Sequence, residues 1–187
     1  MTVAGVLALA RDARLTIPIV LMTYVNPVLA YGVERFAADA RTAGVAGVLF
    51  TDLPAGAVPE LEHAVAANAL DLIRLVAPTT TDERLAAAVA GAGGFIYLIS
   101  RLGVTGARPD APPDLDRHVR RLRGVTRLPI GVGFGISTPA QAAAAARWAD
   151  GVVVGSAVIE ALGSDGVSGV ERLLRSFSPA LETRGAA

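Results

Sequence analysis

At 187 residues the chain has room for one domain, and 52% hydrophobic against 18% charged residues supplies a large core and suits strands buried on both faces. Its formal net charge of zero gives no electrostatic case for nucleic acid or an anionic membrane. The absence of cysteine excludes disulfides, zinc–thiolate centres and thiol nucleophiles.

In chain order, residues 3–14 read as helix. An apolar, β-branched run at 17–24 predicts the first strand, with Asn26-Pro27 as a turn after it. A helix follows over 32–43, closed by Gly44, then a strand over 47–51 and a helix over 58–69. The run at 72–77 is a strand, and Thr81-Asp82 caps a helix over 82–92 with Gly91 near its end. Residues 94–100 form the next strand. A connection rich in proline and charge then leads to a helix over 114–124. The last strands are 128–134 and 151–155. Between them Ser137-Thr138-Pro139 caps a helix over 138–149, with Trp148 as a lone aromatic anchor at its end, and 167–176 is a final helix. His63 and His118 fall on polar helix faces, are expected to be solvated, and show no metal-ligand spacing. No basic segment follows Met1, and every apolar run is broken short of a membrane span, so a cytoplasmic, soluble protein with no membrane partner is expected.

Strands alternating with helices mean a parallel sheet, and the repeat of about 20–35 residues is that of a βα unit. The expected fold is a single α/β domain over 1–187 in the TIM (β/α)₈ barrel class. Six strands are visible where a closed barrel has eight. Nothing before residue 17 reads as a strand, so a partial barrel of about six βα units lacking the first two strands is expected.

Two glycine segments end the last two strands. Gly133-Phe134-Gly135-Ile136-Ser137 follows one, and Gly155-Ser156 follows the other. Glycines there let backbone N–H groups approach an anion, and each following helix adds its positive end. In (β/α)₈ barrels these loops are the usual phosphate cradle, so a small phosphorylated ligand is expected. The competing explanation is a plain strand-to-helix turn at each position. Asp52 ends another strand, where a carboxylate reads as functional or as a cap, with equal weight.

The strand ends, taken in order, resemble the tryptophan synthase alpha chain family. The matching segments are Pro18 to Pro27 with Tyr31-Gly32, Ala43-Gly44-Val45 leading to Asp52-Leu53-Pro54, and Leu75 to Thr80. Then come Gly94 to Ser100, Gly103-Val104-Thr105-Gly106, Gly133 to Ser137, and Asp150-Gly151 to Ala157. Such segments, in the right order, cover nearly all of the chain except the tail after about residue 161. The resemblance implies a carbon–carbon lyase of tryptophan biosynthesis, cleaving indole-3-glycerol phosphate to indole and glyceraldehyde 3-phosphate. It implies no cofactor of its own, and a tryptophan synthase beta subunit as partner in an α₂β₂ heterotetramer. It places Gly106, Gly135, Gly155 and Ser156 on the phosphate, and Gly103 and Thr105 in a lid. Arg101 is close enough in sequence to add charge to the phosphate, against a solvated role. Leu21, Tyr24, Leu49, Tyr97, Phe134 and Val153 would line the indole pocket, against plain barrel core for each. Asp52, Asn26 and Pro54 would lie at the site edge and on the loops that dock the beta subunit. The family's catalytic glutamate and aspartate belong to the expected missing N-terminal segment, so no catalytic residue is expected within these residues. A non-catalytic module that binds phosphate, indole or the beta subunit is the alternative. Another phosphate-binding barrel enzyme is disfavoured by the Asp-Leu-Pro and Gly-Val-Thr-Gly segments.

Overall fold

The computed structural model describes residues 1–99, 114–133 and 135–182, the side chains of 179–182 excepted. The chain forms two compact units. The first joins residues 1–75 with 83–96, and the second joins 76–82 with the described residues from 97 onward.

The first unit begins with α1 (Val3–Ala13), whose N-terminal amide of Gly5 is capped by the Thr2 hydroxyl. β1 (Ile19–Thr23) follows Pro18, where a missing N–H keeps the chain out of a ladder. α2 (Val25–Tyr31) is a helix where a turn is expected, and α3 (Val33–Thr42) is the helix expected over 32–43, the two divided at Gly32 with φ of 98°. Asn26-Pro27 therefore lies in the first turn of α2 and not in a turn between elements. Proline is tolerated there because the first amides of a helix have no intrahelical partner. β2 (Val45–Phe50), α4 (Pro59–Ala67), β3 (Asp71–Val76) and α5 (Asp82–Ala88) complete this part, and β1, β2 and β3 are neighbours in that order. The β1–β2 and β2–β3 ladders are parallel.

Parallel register fixes the faces. Val48 lies beside Leu21 and Leu72, and Leu49 lies beside Met22 and Ile73. Val48, Phe50 and Leu72 pack with Val28, Phe36, Leu61 and Val65 of the helices, so this is the helix-facing layer. Phe36 and Phe50 meet with ring centroids 6.5 Å apart at 59°. Leu49 and Ile73, also buried, occupy the opposite face.

The second unit carries β4 (Ile96–Ile99), α6 (Leu115–Arg123), β5 (Ile130–Gly133), α7 (Pro139–Ala146), β6 (Gly151–Val152) and α8 (Ser156–Glu182). Its strands are ordered β4, β5, β6, and β5 pairs with β6 in parallel. Val119 and Leu122 of α6, Ile130 and Val132 of β5, and Ala142 and Ala145 of α7 are buried. α8 begins at Ser156, where a helix is expected after Gly155, and it takes in the stretch expected as a final helix over 167–176. It is broken at Gly166, whose φ of 65° and ψ of −156° are non-helical, so two helical segments meet at a kink. Trp148 is 44% exposed, not a packed anchor, and the Arg120 guanidinium lies 5.7 Å from its ring centroid. No described helix is long and apolar enough to cross a membrane.

Candidate functional site

In the second unit the end of β5 is shaped by a tyrosine. Tyr97 is buried, and a Cβ on Gly133 would lie 2.1 Å from its hydroxyl oxygen and 2.5 Å from the ring carbon bearing it. Only glycine fits beneath that ring. Burial raises the Tyr97 phenol above its ordinary pKa, which keeps the hydroxyl neutral. Gly135, two residues on, is exposed with φ of 87°, the left-handed region that favours glycine.

The two helix starts expected to face an anion differ. At α7 the Thr138 hydroxyl accepts from Gln141 N–H at 3.3 Å. The Gln141 carboxamide oxygen accepts from the amides of Ser137 at 2.8 Å and Thr138 at 3.1 Å. This capping box satisfies amides that a phosphate would otherwise use. Sequence reasoning saw the Thr138 cap and missed Gln141, although Thr-x-x-Gln ahead of an alanine run is its signature. At α8 the Gly155 carbonyl accepts from Val158 N–H at 2.9 Å and Ile159 N–H at 3.2 Å, so the helix opens there. Gly155 and Ser156 are exposed. Unlike Gly133 and Gly135, Gly155 has no conformational or packing need for glycine. Its φ lies outside the left-handed region, and no described atom is within 4 Å of where a Cβ would be. A bare backbone and a hydroxyl at an open helix start suit an oxyanion. Val153, half-buried just before it, donates its N–H to Val132 O at 2.8 Å.

In the first unit the ends of β1 and β2 are tied together. Thr51 N–H donates to Thr23 O at 3.0 Å, and Asp52 Oδ1 accepts from Val25 N–H at 2.9 Å. Asp52 thus caps α2, one of the two roles open to it from sequence. Pro54 and Asn26 are exposed. The expected pocket residues of this unit do not share a face. Leu49 is on the face away from the helices, whereas Leu21 packs against the helix-facing core. Strand alternation puts Met22, not Leu21, beside Leu49. The signal was available, because Leu21 and Tyr24 are three residues apart and cannot point the same way on one strand. Tyr24 itself is 62% exposed.

Phe134, Arg101 and the expected lid and phosphate residues Gly103, Thr105 and Gly106 lie outside the described residues. His63 is exposed as expected. His118 is half-buried beside Arg121, and burial, followed by the charges of Arg121 and Arg117, pushes its imidazole below the ordinary range. No cluster of metal-ligating side chains occurs among the described residues.

Comparison with known proteins adds the family. The model described as tryptophan synthase alpha chain matches residues 1–180. A tryptophan synthase alpha chain from Acidiphilium cryptum (strain JF-5) is 52% identical over 164 residues, covering 86% of this chain and 59% of that relative. The chain therefore spans less than two thirds of that relative's length. A solved structure of Mycobacterium tuberculosis tryptophan synthase superposes with a TM-score of 0.87 at 39% identity, over 97% of this chain and 69% of that one. The tryptophan synthase a2b2 complex of the hyperthermophile Pyrococcus furiosus gives 0.84 at 34% identity, over 97% and 75%. With the βα repeat in both units and a match of this extent, the chain belongs to the tryptophan synthase alpha chain family, whose fold is the TIM barrel.

Proposed function

We propose that the chain supplies the phosphate-binding and subunit-docking parts of the carbon–carbon lyase step in tryptophan biosynthesis, the cleavage of indole-3-glycerol phosphate to indole and glyceraldehyde 3-phosphate. The observation that carries this reading is the bare Gly155 at the open start of α8. The phosphate end of the substrate would sit there, with Gly135 and Ser156 beside it, accepting backbone N–H groups that have no intrahelical partner. Tyr97 on β4 and Val153 just after β6, the two strands that flank β5 in the same unit, would meet the indole.

Cleaving the bond requires a proton delivered to the indole ring carbon and another removed from the glycerol hydroxyl. No described residue is assigned either task. Asp52, the carboxylate at a strand end, is engaged as the cap of α2. On this reading the chain by itself binds the substrate without turning it over. The Pyrococcus furiosus neighbour is an a2b2 complex. By that likeness a tryptophan synthase beta chain is the proposed partner here, docked through the exposed Pro54 loop and the Asn26 turn of α2.

Calorimetric titration with glycerol 3-phosphate tests the cradle. Gly155→Asp puts a side chain and a negative charge into the open space, and binding should weaken by about tenfold or more, the cost of one lost charge-assisted contact. Equal affinity in both proteins would sink the assignment. Indole release above background from the unmodified chain would show that the proton donor lies within these residues.

A further inference from the structure

The first unit holds one ion pair whose arginine is almost fully buried, and it lies outside the residues assigned above. Arg74 of β3 is 3% exposed. Its Nη2 meets Glu62 Oε2 of α4 at 2.7 Å, and its Nε donates to Ala90 O, just past α5, at 3.0 Å. Nη1 is buried with no partner among the described residues. Glu62 is the only carboxylate on this guanidinium among the described residues, which makes the pair costly to break. The other Glu62 oxygen is turned elsewhere. Oε1 accepts the N–H of Gly56 at 2.8 Å.

Gly56 sits in the connection from β2 to α4, the segment that begins with Asp52-Leu53-Pro54. Its φ of 76° is left-handed, and Ala57 N–H closes a turn onto Pro54 O at 3.1 Å. At its other end Asp52 caps α2 through Val25 N–H. The exposed loop thus has two anchors, one on the β1–α2 junction and one on Glu62.

We propose that Glu62, held in place by Arg74, is the positioning residue of the β2–α4 loop. Its carboxylate fixes the left-handed turn at Gly56, and so sets where Asp52, Leu53 and Pro54 are presented. The buried guanidinium orients the carboxylate, and the carboxylate orients the loop. The lock stands on this geometry alone. Its consequence for beta-chain docking rests on the functional reading above.

Amide hydrogen exchange of the peptides covering 51–58, measured on the whole chain beside a thermal melt, tests it. Glu62→Gln keeps an oxygen for Gly56 and loses the ion pair. Glu62→Ala loses both. The double change Glu62→Leu with Arg74→Leu removes both charges and keeps the site apolar. If Glu62 positions the loop, exchange there rises less in Glu62→Gln, which keeps an acceptor for Gly56 but loses its orientation by Arg74, than in Glu62→Ala. It rises about tenfold in Glu62→Ala, as expected for one lost hydrogen bond to a charged group, and stays fast in the double variant even where stability recovers. Loop exchange that simply follows melting temperature across the set would overturn the proposal. Should the double variant not fold, the contrast between Gln and Ala decides alone. A wild-type chain that binds no tryptophan synthase beta chain would overturn the docking reading and leave the exchange result to judge the lock.

Discussion

Single atoms decide the most at the strand ends. Gly133 has no side chain because Tyr97 occupies the space. Gly133→Ala should destabilise by about 1–3 kcal/mol, the usual cost of overpacking, read as a lower urea midpoint. Unchanged stability would mean that the tyrosine ring moves aside freely. Leu21 and Met22 make an opposing pair of predictions. Leu21 is half-buried against the helices, so Leu21→Ala should cost about 1–2 kcal/mol, below the range for a fully buried leucine. Met22 is 56% exposed on the other face, and Met22→Ala should fall within about 0.5 kcal/mol of wild type. Denaturation of both variants checks the face assignment, and reversed costs would refute it.

The helices show how capping is shared between local and distant residues. α7 caps itself through Thr138 and Gln141, four adjacent positions in all. α2 begins after Tyr24, which makes no side-chain cap, and takes its acceptor from Asp52, 27 residues away. Asp52→Ala should therefore cost about 1 kcal/mol and fray α2, while Asp52→Asn keeps an acceptor and most of that stability. Circular dichroism with denaturant titration separates the two. Equal losses would show that the carboxylate charge, not the hydrogen bond, is what α2 needs.

For the molecule as a whole, titration and the sheet edge set the working conditions. His118 has a depressed pKa, so its contribution is present above the ordinary imidazole value of 6.5 and is lost as pH falls through the folded value. For Glu62, burial alone would raise the carboxyl, but the hydrogen bonds from Arg74 and Gly56 outweigh it. The net pKa is below 4.5, and this contribution is lost in stronger acid. Tyr97 is raised above 10.0, so stability falls again as pH climbs past that value. Urea midpoints across pH should form a plateau from about neutral to about pH 9 with losses on both sides. Stability that increases as pH falls from about 7 to about 5 would contradict the His118 assignment. β1 is an edge strand with Val20, Met22 and Tyr24 exposed at 38%, 56% and 62% on one face. No charged residue lies between Arg14 and Glu34 to guard it. The chain expressed alone should self-associate or stay poorly soluble, and Met22→Lys should reduce this. A monodisperse monomer with a sharp, reversible melt would refute it.

The sequence by itself determined the βα rhythm, the parallel sheet and the family, because buried parallel strands need continuous apolar runs and because motifs at strand ends keep their order. It also located Gly155-Ser156 at a helix start, since a glycine between a strand and an alanine-rich segment is a local signal. Tertiary structure decided what depends on partners distant in the chain. Asn26-Pro27 is helical because Asp52 arrives from another strand. Arg74 is buried because Glu62 meets it. Leu21 faces the helices because the β1–β2 register pairs it with Val48. Gly133 is glycine because of a ring 36 positions earlier, Tyr97. Each of these contacts joins residues at least a dozen positions apart, and their approach is set by how the strands register and pack, which no local window of residues contains.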